Sequence, residues 1–180
     1  MMMHVDPGKC TGCRTCEVFC SLEQEGMANP ALSRIQVFKD EAHNLFLPIV
    51  CPPCDEKACV AACPEPGTML VAPETGAVTI VEELCTGCNK CISACGIGAI
   101  KFLRQTERGK FGKAVAYKCN QCGGDPWCVK MCEPGALQYI AEKPDLNGQM
   151  IFGGLRAAAE QSERIFAERG GQSRRRVLAK

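Results

Sequence analysis

The sequence predicts an α+β fold of short helices and β-hairpins, and three observations lead to it. The chain has 180 residues, of which 16 are cysteine, whereas aromatic residues make up only 6%. The cysteines form four quartets that begin 41, 34 and 34 residues apart, an interval typical of one repeated structural unit. Between the quartets, short apolar segments flank turn residues, as in β-hairpins. Because large side chains are too few to fill a core of this size, the interior needs another component, and the cysteines point to metal.

Each quartet begins with a C-x2-C pair and ends with a C-x3-C pair, and no cysteine is left over. The first and third quartets have the run C-x2-C-x2-C-x3-C, by which bacterial ferredoxins hold 4Fe-4S clusters. In such a run three thiolates hold one cluster, while the fourth points away and serves another. The second and fourth quartets are widened, with four and five residues before the third cysteine. The quartets are Cys10, Cys13, Cys16, Cys20; Cys51, Cys54, Cys59, Cys63; Cys85, Cys88, Cys91, Cys95; and Cys119, Cys122, Cys128, Cys132.

Three hairpins are predicted where apolar or β-branched segments surround turn residues. A short helical turn is expected to carry the fourth cysteine of each quartet. The paired strands are 34–38 with 45–50, 68–71 with 77–81, and 99–104 with 113–117, and the helical turns are 17–21, 60–62, 92–94 and 129–131.

The C-terminal part of the chain differs from the rest, because the cysteines stop before residue 147. Apolar residues in helical spacing predict a helix over 155–169, which Gly170 and Gly171 would end. The basic tail that follows is either a solvated segment or an arm that docks on a partner.

Two glycines, Gly12 and Gly87, lie inside the first C-x2-C pair of the regular quartets. Glycine adopts positive φ without strain, so the backbone is expected to pass close to the inorganic sulfurs there. Successive N–H groups in such a loop form a concavity that suits an anionic cluster.

Other uses of the cysteines fit the pattern less well. Zinc needs only two C-x2-C pairs and does not call for three closely spaced ligands four times over. A disulfide framework is atypical of a reducing compartment. A radical enzyme would keep one iron of its catalytic cluster free of cysteine, whereas sixteen cysteines divide into four complete sets.

Electron transfer without catalysis is the function that these sets favour, because a fully thiolate-ligated cluster leaves no iron free for substrate. The formal charge of +1 lacks the basic excess of nucleic-acid binders. No nucleotide-binding or nucleophile motif is present, His4 and His43 stand isolated, and Asp40 with Glu41 is expected to form a turn. Neither a signal peptide nor a membrane span is indicated, so a soluble cytoplasmic protein is expected.

On these motifs the sequence resembles the four-cluster, ferredoxin-like electron-transfer subunits of molybdenum and tungsten oxidoreductases, over roughly residues 4 to 142. In that family the second quartet reads C-x2-C-x4-C-x3-C-P, as in residues 51–64, and the fourth has a variable gap. Proline follows the fourth cysteine only at Pro64, since Ser21, Gly96 and Glu133 replace it elsewhere. The resemblance implies crossed ligand sets, namely Cys10, Cys13, Cys16 with Cys132; Cys119, Cys122, Cys128 with Cys20; Cys51, Cys54, Cys59 with Cys95; and Cys85, Cys88, Cys91 with Cys63.

The crossed sets imply two ferredoxin-like modules, one inserted in the other. The outer module comprises residues 1–50 and 96–146, the inner module residues 51–95, and residues 147–180 form the C-terminal helix and basic tail. Four basic residues, Lys9, Arg14, Lys90 and Lys118, lie beside cysteines. They are expected either to raise cluster potentials or, as solvated charges, to do little.

A finer resemblance concerns the partner. Residues 10–17 and 29–35 are similar to the small subunits associated with tungsten enzymes of the aldehyde oxidoreductase family. This implies electron relay between a tungsten or molybdenum catalytic subunit and a flavin subunit or other acceptor. A subunit of formate dehydrogenase or hydrogenase, and a free-standing diffusible polyferredoxin, are the alternatives, and self-association stays open.

Overall fold

The computed structural model describes the backbone of residues 2–52, 54–107, 110–141 and 167, and the side chains of these residues except 103–107 and 110–112. The predicted C-terminal helix and the basic tail lie outside the described residues, apart from Ala167. Short helices and paired strands alternate along the described chain, as the predicted α+β class requires. The helices are α1 (Thr15–Glu25), α2 (Ala58–Ala61), α3 (Lys90–Ala94) and α4 (Trp127–Lys130), with 3-10 turns at Pro30–Leu32 and Gln121–Gly124.

All described strands pair antiparallel in four two-stranded sheets. Three of the sheets are the predicted hairpins, which are therefore confirmed, with ends that differ by a few residues. The largest difference is in the third hairpin, which continues beyond the predicted apolar segments because ladder hydrogen bonds need no apolar side chains. The strands are β1 (Met2–Val5), β2 (Gln36–Asp40), β3 (Leu45–Ile49), β4 (Met69–Val71), β5 (Val78–Ile80), β6 (Lys101–Glu107), β7 (Lys110–Tyr117) and β8 (Leu137–Ile140).

The fourth sheet was not predicted. Strands β1 and β8 pair although they are far apart in the sequence, and their ladder runs from Met2 opposite Ile140 to Val5 opposite Leu137. The backbone N–H of Asp6 continues the ladder by donating to Ala136 O at 2.8 Å. Because Cys10 follows β1 and Cys132 precedes β8, this pairing brings the first and fourth quartets to the same end of the fold.

The predicted helical turns are present, but they begin earlier and carry different cysteines. Each of the four helices holds the third cysteine of its quartet in its first turn. Only α1, with 11 residues, is long enough to include a fourth cysteine as well, namely Cys20. The other fourth cysteines lie just beyond helices of four or five residues.

The described interior is made of cysteine and small aliphatic residues. One buried cluster joins Met3, Ile35, Val37 and Leu137 to cysteines of the first, second and fourth quartets. A second joins aliphatic residues of β5 and β7 to Cys59, Cys85 and Cys91. In the part of the chain that the structure describes, no helix is long and apolar enough to cross a membrane.

Candidate metal centres

The loops before the first and third helices depend on glycine. Gly12 and Gly87 have φ of +71° and +72°, as predicted for these positions. The reason lies in the fold: a Cβ on Gly12 would stand 2.6 Å from the Phe46 ring, and one on Gly87 would stand 2.5 Å from Ala114 O. Each loop therefore packs directly on a neighbouring hairpin, where only glycine fits.

A second feature of these loops is a left-handed residue two positions before the third cysteine. Arg14, Lys57 and Asn89 have φ of 64°, 44° and 67°, and each immediately precedes its helix as the N-cap residue. In the fourth quartet the residues with positive φ come earlier, at Gln121, Cys122, Gly123 and Gly124. Residues other than glycine adopt this backbone conformation at a cost of about 1–3 kcal/mol, and such strain concentrates at functional sites. No sequence motif revealed it.

The first predicted set of cysteines lies together at one pocket. Burial raises the pKa of the Cys16 thiol to about 12, with smaller contributions from Glu17 and from the thiols of Cys10, Cys13 and Cys132. A pocket with about 320 Å³ of open space is lined by the same four cysteines. Cys132 is separated from the others by more than 110 residues of sequence, so the tertiary fold unites this set.

The second set surrounds Cys128, which is buried. Burial is the main cause of its raised pKa, followed by the charges of Cys119, Cys20 and Cys122. Three donors point at sulfurs of this set, since backbone N–H groups of Arg34 and Gln121 donate to Cys20 and Cys119 at 3.3 Å, and Gln24 Nε2 donates to Cys122 at 3.4 Å. Hydrogen bonds to sulfur of this kind influence cluster potential.

Two buried donors beside the second set have no partner among the described residues. They are Arg34 Nε and Gln121 Nε2. Gln121 is 1% exposed, and its amide oxygen accepts a hydrogen bond from Tyr139 at 3.1 Å. Buried donors are nearly always satisfied, so these two call for an acceptor at this place. The inorganic sulfurs of a cluster would supply one, and the site therefore fits such a group.

The two remaining sets come from the second and third quartets. The pKa values of Cys51 and Cys59 are raised, mainly by burial and further by the charges of Cys54 and Cys95. The pKa of Cys91 is raised by burial and by the charges of its three set members. A second pocket with about 310 Å³ of open space has almost entirely apolar walls, and its cysteines are Cys63, Cys85, Cys88 and Cys91.

Within the described ranges, no three His, Cys, Asp or Glu side chains are placed to hold a single ion. All sixteen cysteines are free thiols.

Several charged residues near the cysteines differ from expectation. Arg14 pairs with Glu17, which is 1% exposed and also accepts the Val37 N–H at 2.6 Å. Lys118 is 4% exposed and is therefore no solvated charge. His43 is not isolated, because its Nδ1 lies 2.7 Å from Asp40 Oδ2 at the β2–β3 turn. Sequence reasoning missed Glu17 altogether, since nothing in its neighbourhood marks it as buried.

Comparison with known proteins agrees with this geometry. Residues 42–142 match the family described as a 4Fe-4S dicluster domain. The chain is 41% identical over 128 residues to the aliphatic sulfonate oxidoreductase, polyferredoxin-like subunit of Pyrococcus furiosus, covering 71% of this chain and 69% of the relative. It is 30% identical over 148 residues to the electron transport protein HydN of Escherichia coli, covering 73% of this chain and 83% of that protein.

A solved structure of the active site complex BamBC of benzoyl coenzyme A reductase aligns with 91% of this chain and 97% of its own, at 21% identity and a TM-score of 0.40. That similarity is too low to support any argument. The family match covers more than half of the chain, and the two relatives are named as an electron transport protein and as a polyferredoxin-like subunit of an oxidoreductase. The chain thus belongs to the 4Fe-4S dicluster domain family and is a non-catalytic electron-transfer protein.

Proposed function

We propose that this chain is an electron-transfer subunit that relays electrons through four 4Fe-4S clusters between a catalytic subunit and a separate acceptor. The observation that best supports the proposal is the proximity of cysteines from different quartets. Cys132 lies with the first quartet, Cys20 with the fourth, Cys95 with the second and Cys63 with the third. The family resemblance, which rests on the sequence, implies the same four partnerships.

The cysteines hold the clusters, and most of them are buried or half-buried. Each cluster, when bound, accepts and releases one electron and leaves no iron free for substrate. Burial keeps the thiols of Cys16 and Cys119 protonated in the metal-free chain, because it raises the pKa of each to about 12. Cluster binding therefore releases protons. The proposed ligand sets are Cys10, Cys13, Cys16, Cys132; Cys20, Cys119, Cys122, Cys128; Cys51, Cys54, Cys59, Cys95; and Cys63, Cys85, Cys88, Cys91.

Interactions between the cysteine sets support a linear order of the four clusters. The charge of Cys16 acts on Cys128, which relates the first set to the second. The charge of Cys51 acts on Cys119, which relates the second set to the third. Cys59 and Cys91 share one buried cluster, which joins the third set to the fourth. Cys13 and Cys88, which belong to the two end sets, are exposed, and so is Cys54 of the third set. We place the docking of donor and acceptor at the two end sets. The two modules, residues 1–50 with 96–146 and residues 51–95, each hold two sets.

We further propose that the catalytic partner contains tungsten or molybdenum and belongs to the aldehyde oxidoreductase family, with a flavin subunit or other acceptor at the opposite end. The resemblance of residues 10–17 and 29–35 supports this, and the relative from Pyrococcus furiosus is likewise named as a subunit of an oxidoreductase. The name of HydN describes an electron transport protein, which favours the diffusible polyferredoxin as the second candidate.

The crossed ligation is tested by Cys132→Ala in the anaerobically purified chain, with Cys122→Ala as the matched control. Iron should fall from about 16 atoms per chain towards about 12 in both variants. The low-temperature EPR signal that Cys132→Ala alters should be the one altered by Cys13→Ala, and Cys122→Ala should alter a different one. If Cys132→Ala and Cys122→Ala alter the same signal and Cys13→Ala another, the crossed assignment is wrong.

The partner is tested by purifying the native assembly without oxygen and measuring iron, zinc, tungsten and molybdenum per copy of this chain. Tungsten with at least about 16 iron atoms supports the aldehyde oxidoreductase partner. Molybdenum instead favours a formate dehydrogenase, and iron alone favours a hydrogenase partner or the diffusible carrier. Zinc in place of iron contradicts the whole proposal.

A further inference from the structure

Gln24 is a polar residue on the last turn of α1 that reaches across the fold to a cysteine of the second set. Its side-chain Nε2 donates to Cys122 Sγ at 3.4 Å, although 98 positions separate the two residues in the sequence. Both residues are half-buried. The contact is therefore a tertiary one, and it joins a side chain that is not a ligand to the sulfur of a proposed ligand.

The length of α1 brings Gln24 to this place. The other three helices have only four or five residues, whereas α1 has 11 and continues beyond its own fourth cysteine, Cys20. Residues four apart lie on the same face of a helix, so Gln24 shares the face of Cys20, a ligand of the same proposed set. Gly26, with φ of 70°, then ends the helix by donating its N–H to Leu22 O. The additional turn therefore extends the face of Cys20 to the sulfur of Cys122.

Gln24 differs in kind from the two other donors to sulfurs of this set. Arg34 and Gln121 donate through their backbone N–H groups, to Cys20 and Cys119 respectively. A backbone donor is present whichever side chain the residue carries, whereas the amide donor of a glutamine belongs to the side chain. The hydrogen bond from Gln24 is therefore one that the sequence controls, and a single substitution removes it.

The direction of the effect follows from the charge on the sulfur. Reduction adds one electron to a cluster without making or breaking a bond, and the ligand sulfurs become more negative. A hydrogen bond to a charged acceptor is stronger than one to a neutral acceptor, so it strengthens as this negative charge grows. The Gln24 N–H would therefore stabilise the reduced state more than the oxidised state, while its proton stays on nitrogen. Hydrogen bonds to the sulfurs are among the factors that set cluster potentials.

We propose that Gln24 raises the reduction potential of the cluster held by Cys20, Cys119, Cys122 and Cys128, by donating a side-chain hydrogen bond to Cys122. The inference rests on the proposed function, which supplies the cluster and its electron donor. Gln24 is not a ligand and acts through the sulfur of Cys122. This cluster lies second in the proposed linear order, so a higher potential would favour electron transfer to it from the first cluster.

The test is an anaerobic redox titration of the loaded chain with dithionite as reductant, followed by low-temperature EPR. Gln24→Leu removes the donor but leaves an apolar side chain over the sulfur, which hinders water from replacing the amide. At a fixed solution potential this variant should lower the reduced-to-oxidised ratio of one cluster about fivefold, or about 41 mV at 59 mV per tenfold change. The affected signal should be the one that Cys122→Ala alters.

Two further variants separate the local contact from a general effect of charge on α1. Gln24→Glu puts a carboxylate, which accepts and does not donate, next to Cys122, and it should lower the same ratio by more than Gln24→Leu does. Leu22→Glu adds the same charge to the same helix, but at a residue that is 45% exposed. Solvent and salt screen an exposed charge, so the ratio in Leu22→Glu should stay within twofold of wild type.

The outcomes separate this inference from the proposed function. Fewer than four clusters in the wild-type chain would contradict the proposed function, and the signal that Cys122→Ala alters would still test Gln24; absence of that signal from the wild type would overturn both. With four clusters present, a ratio in Gln24→Leu within twofold of wild type would overturn the role of Gln24 alone. A shift in another signal, or an equal shift in Leu22→Glu and Gln24→Glu, would do the same. If Gln24→Leu binds less iron than wild type, Gln24→Met replaces it, because methionine has a similar length and no donor and must give the same fivefold decrease.

Discussion

Glu17 offers the sharpest test of how the first cysteine loop is held. Its carboxylate is 1% exposed, and it joins two elements at once. One oxygen accepts the backbone N–H of Val37 on β2 at 2.6 Å, and the other pairs with the Arg14 guanidinium at 2.6 Å. Arg14 is the left-handed N-cap residue that immediately precedes α1. Replacing Glu17 with alanine therefore releases the loop from the hairpin.

The magnitude follows from the two contacts. Leaving the buried Val37 N–H without a partner costs about 1–3 kcal/mol. The Arg14 side chain is 49% exposed, so the loss of its ion pair is discounted to about 0.5–1 kcal/mol. The sum is about 3 kcal/mol, or roughly 150-fold in the unfolding equilibrium. If about half of this is lost before the transition state, unfolding accelerates roughly tenfold.

The assay is the anaerobic rate at which cluster absorbance bleaches in guanidinium chloride, because cluster loss makes unfolding irreversible and the rate is then the defined quantity. Glu23→Ala is the control, since Glu23 lies on the same helix but is exposed. Glu17→Gln should bleach at an intermediate rate, because its amide oxygen still accepts the Val37 N–H. A Glu17→Ala rate within twofold of Glu23→Ala would refute the reasoning.

Two further predictions concern stability. The bleaching rate of Gly87→Ala should exceed that of Gly26→Ala by at least about tenfold. Both variants lose about 1–2 kcal/mol to left-handed strain, but only the Cβ at position 87 also meets a fixed backbone atom, Ala114 O. Equal rates would show that the loop can move away. Burial raises the pKa of Tyr117 above its ordinary value of 10.0, with a further contribution from Glu25. The tyrosine of the unfolded chain therefore ionises at lower pH than that of the folded chain, so stability should fall as pH rises above 10. In wild type the bleaching rate should then increase with pH from pH 9 upward, and Tyr117→Phe should make this increase smaller. An unchanged dependence on pH in Tyr117→Phe would contradict the prediction.

Local sequence patterns were sufficient to predict the three hairpins, and the cysteine spacing was sufficient to predict 4Fe-4S binding. Local turn residues and short apolar segments determine a hairpin between neighbours in sequence, so β2–β3, β4–β5 and β6–β7 were within reach of sequence reasoning. The helical turns were also predicted, but their starts were not. Those starts depend on left-handed residues such as Arg14 and Lys57, whose side chains do not ordinarily indicate positive φ.

Sequence alone determined the chemistry of this protein, and tertiary structure decided the surroundings of that chemistry. Four complete cysteine quartets specify 4Fe-4S clusters because ligand type and spacing are local properties. The β1–β8 pairing, the burial of Glu17 and the burial of Lys118 are not local, since each depends on segments far apart in the chain. Burial determines whether a charge is screened by water or acts at full strength, and burial exists only once the chain has folded.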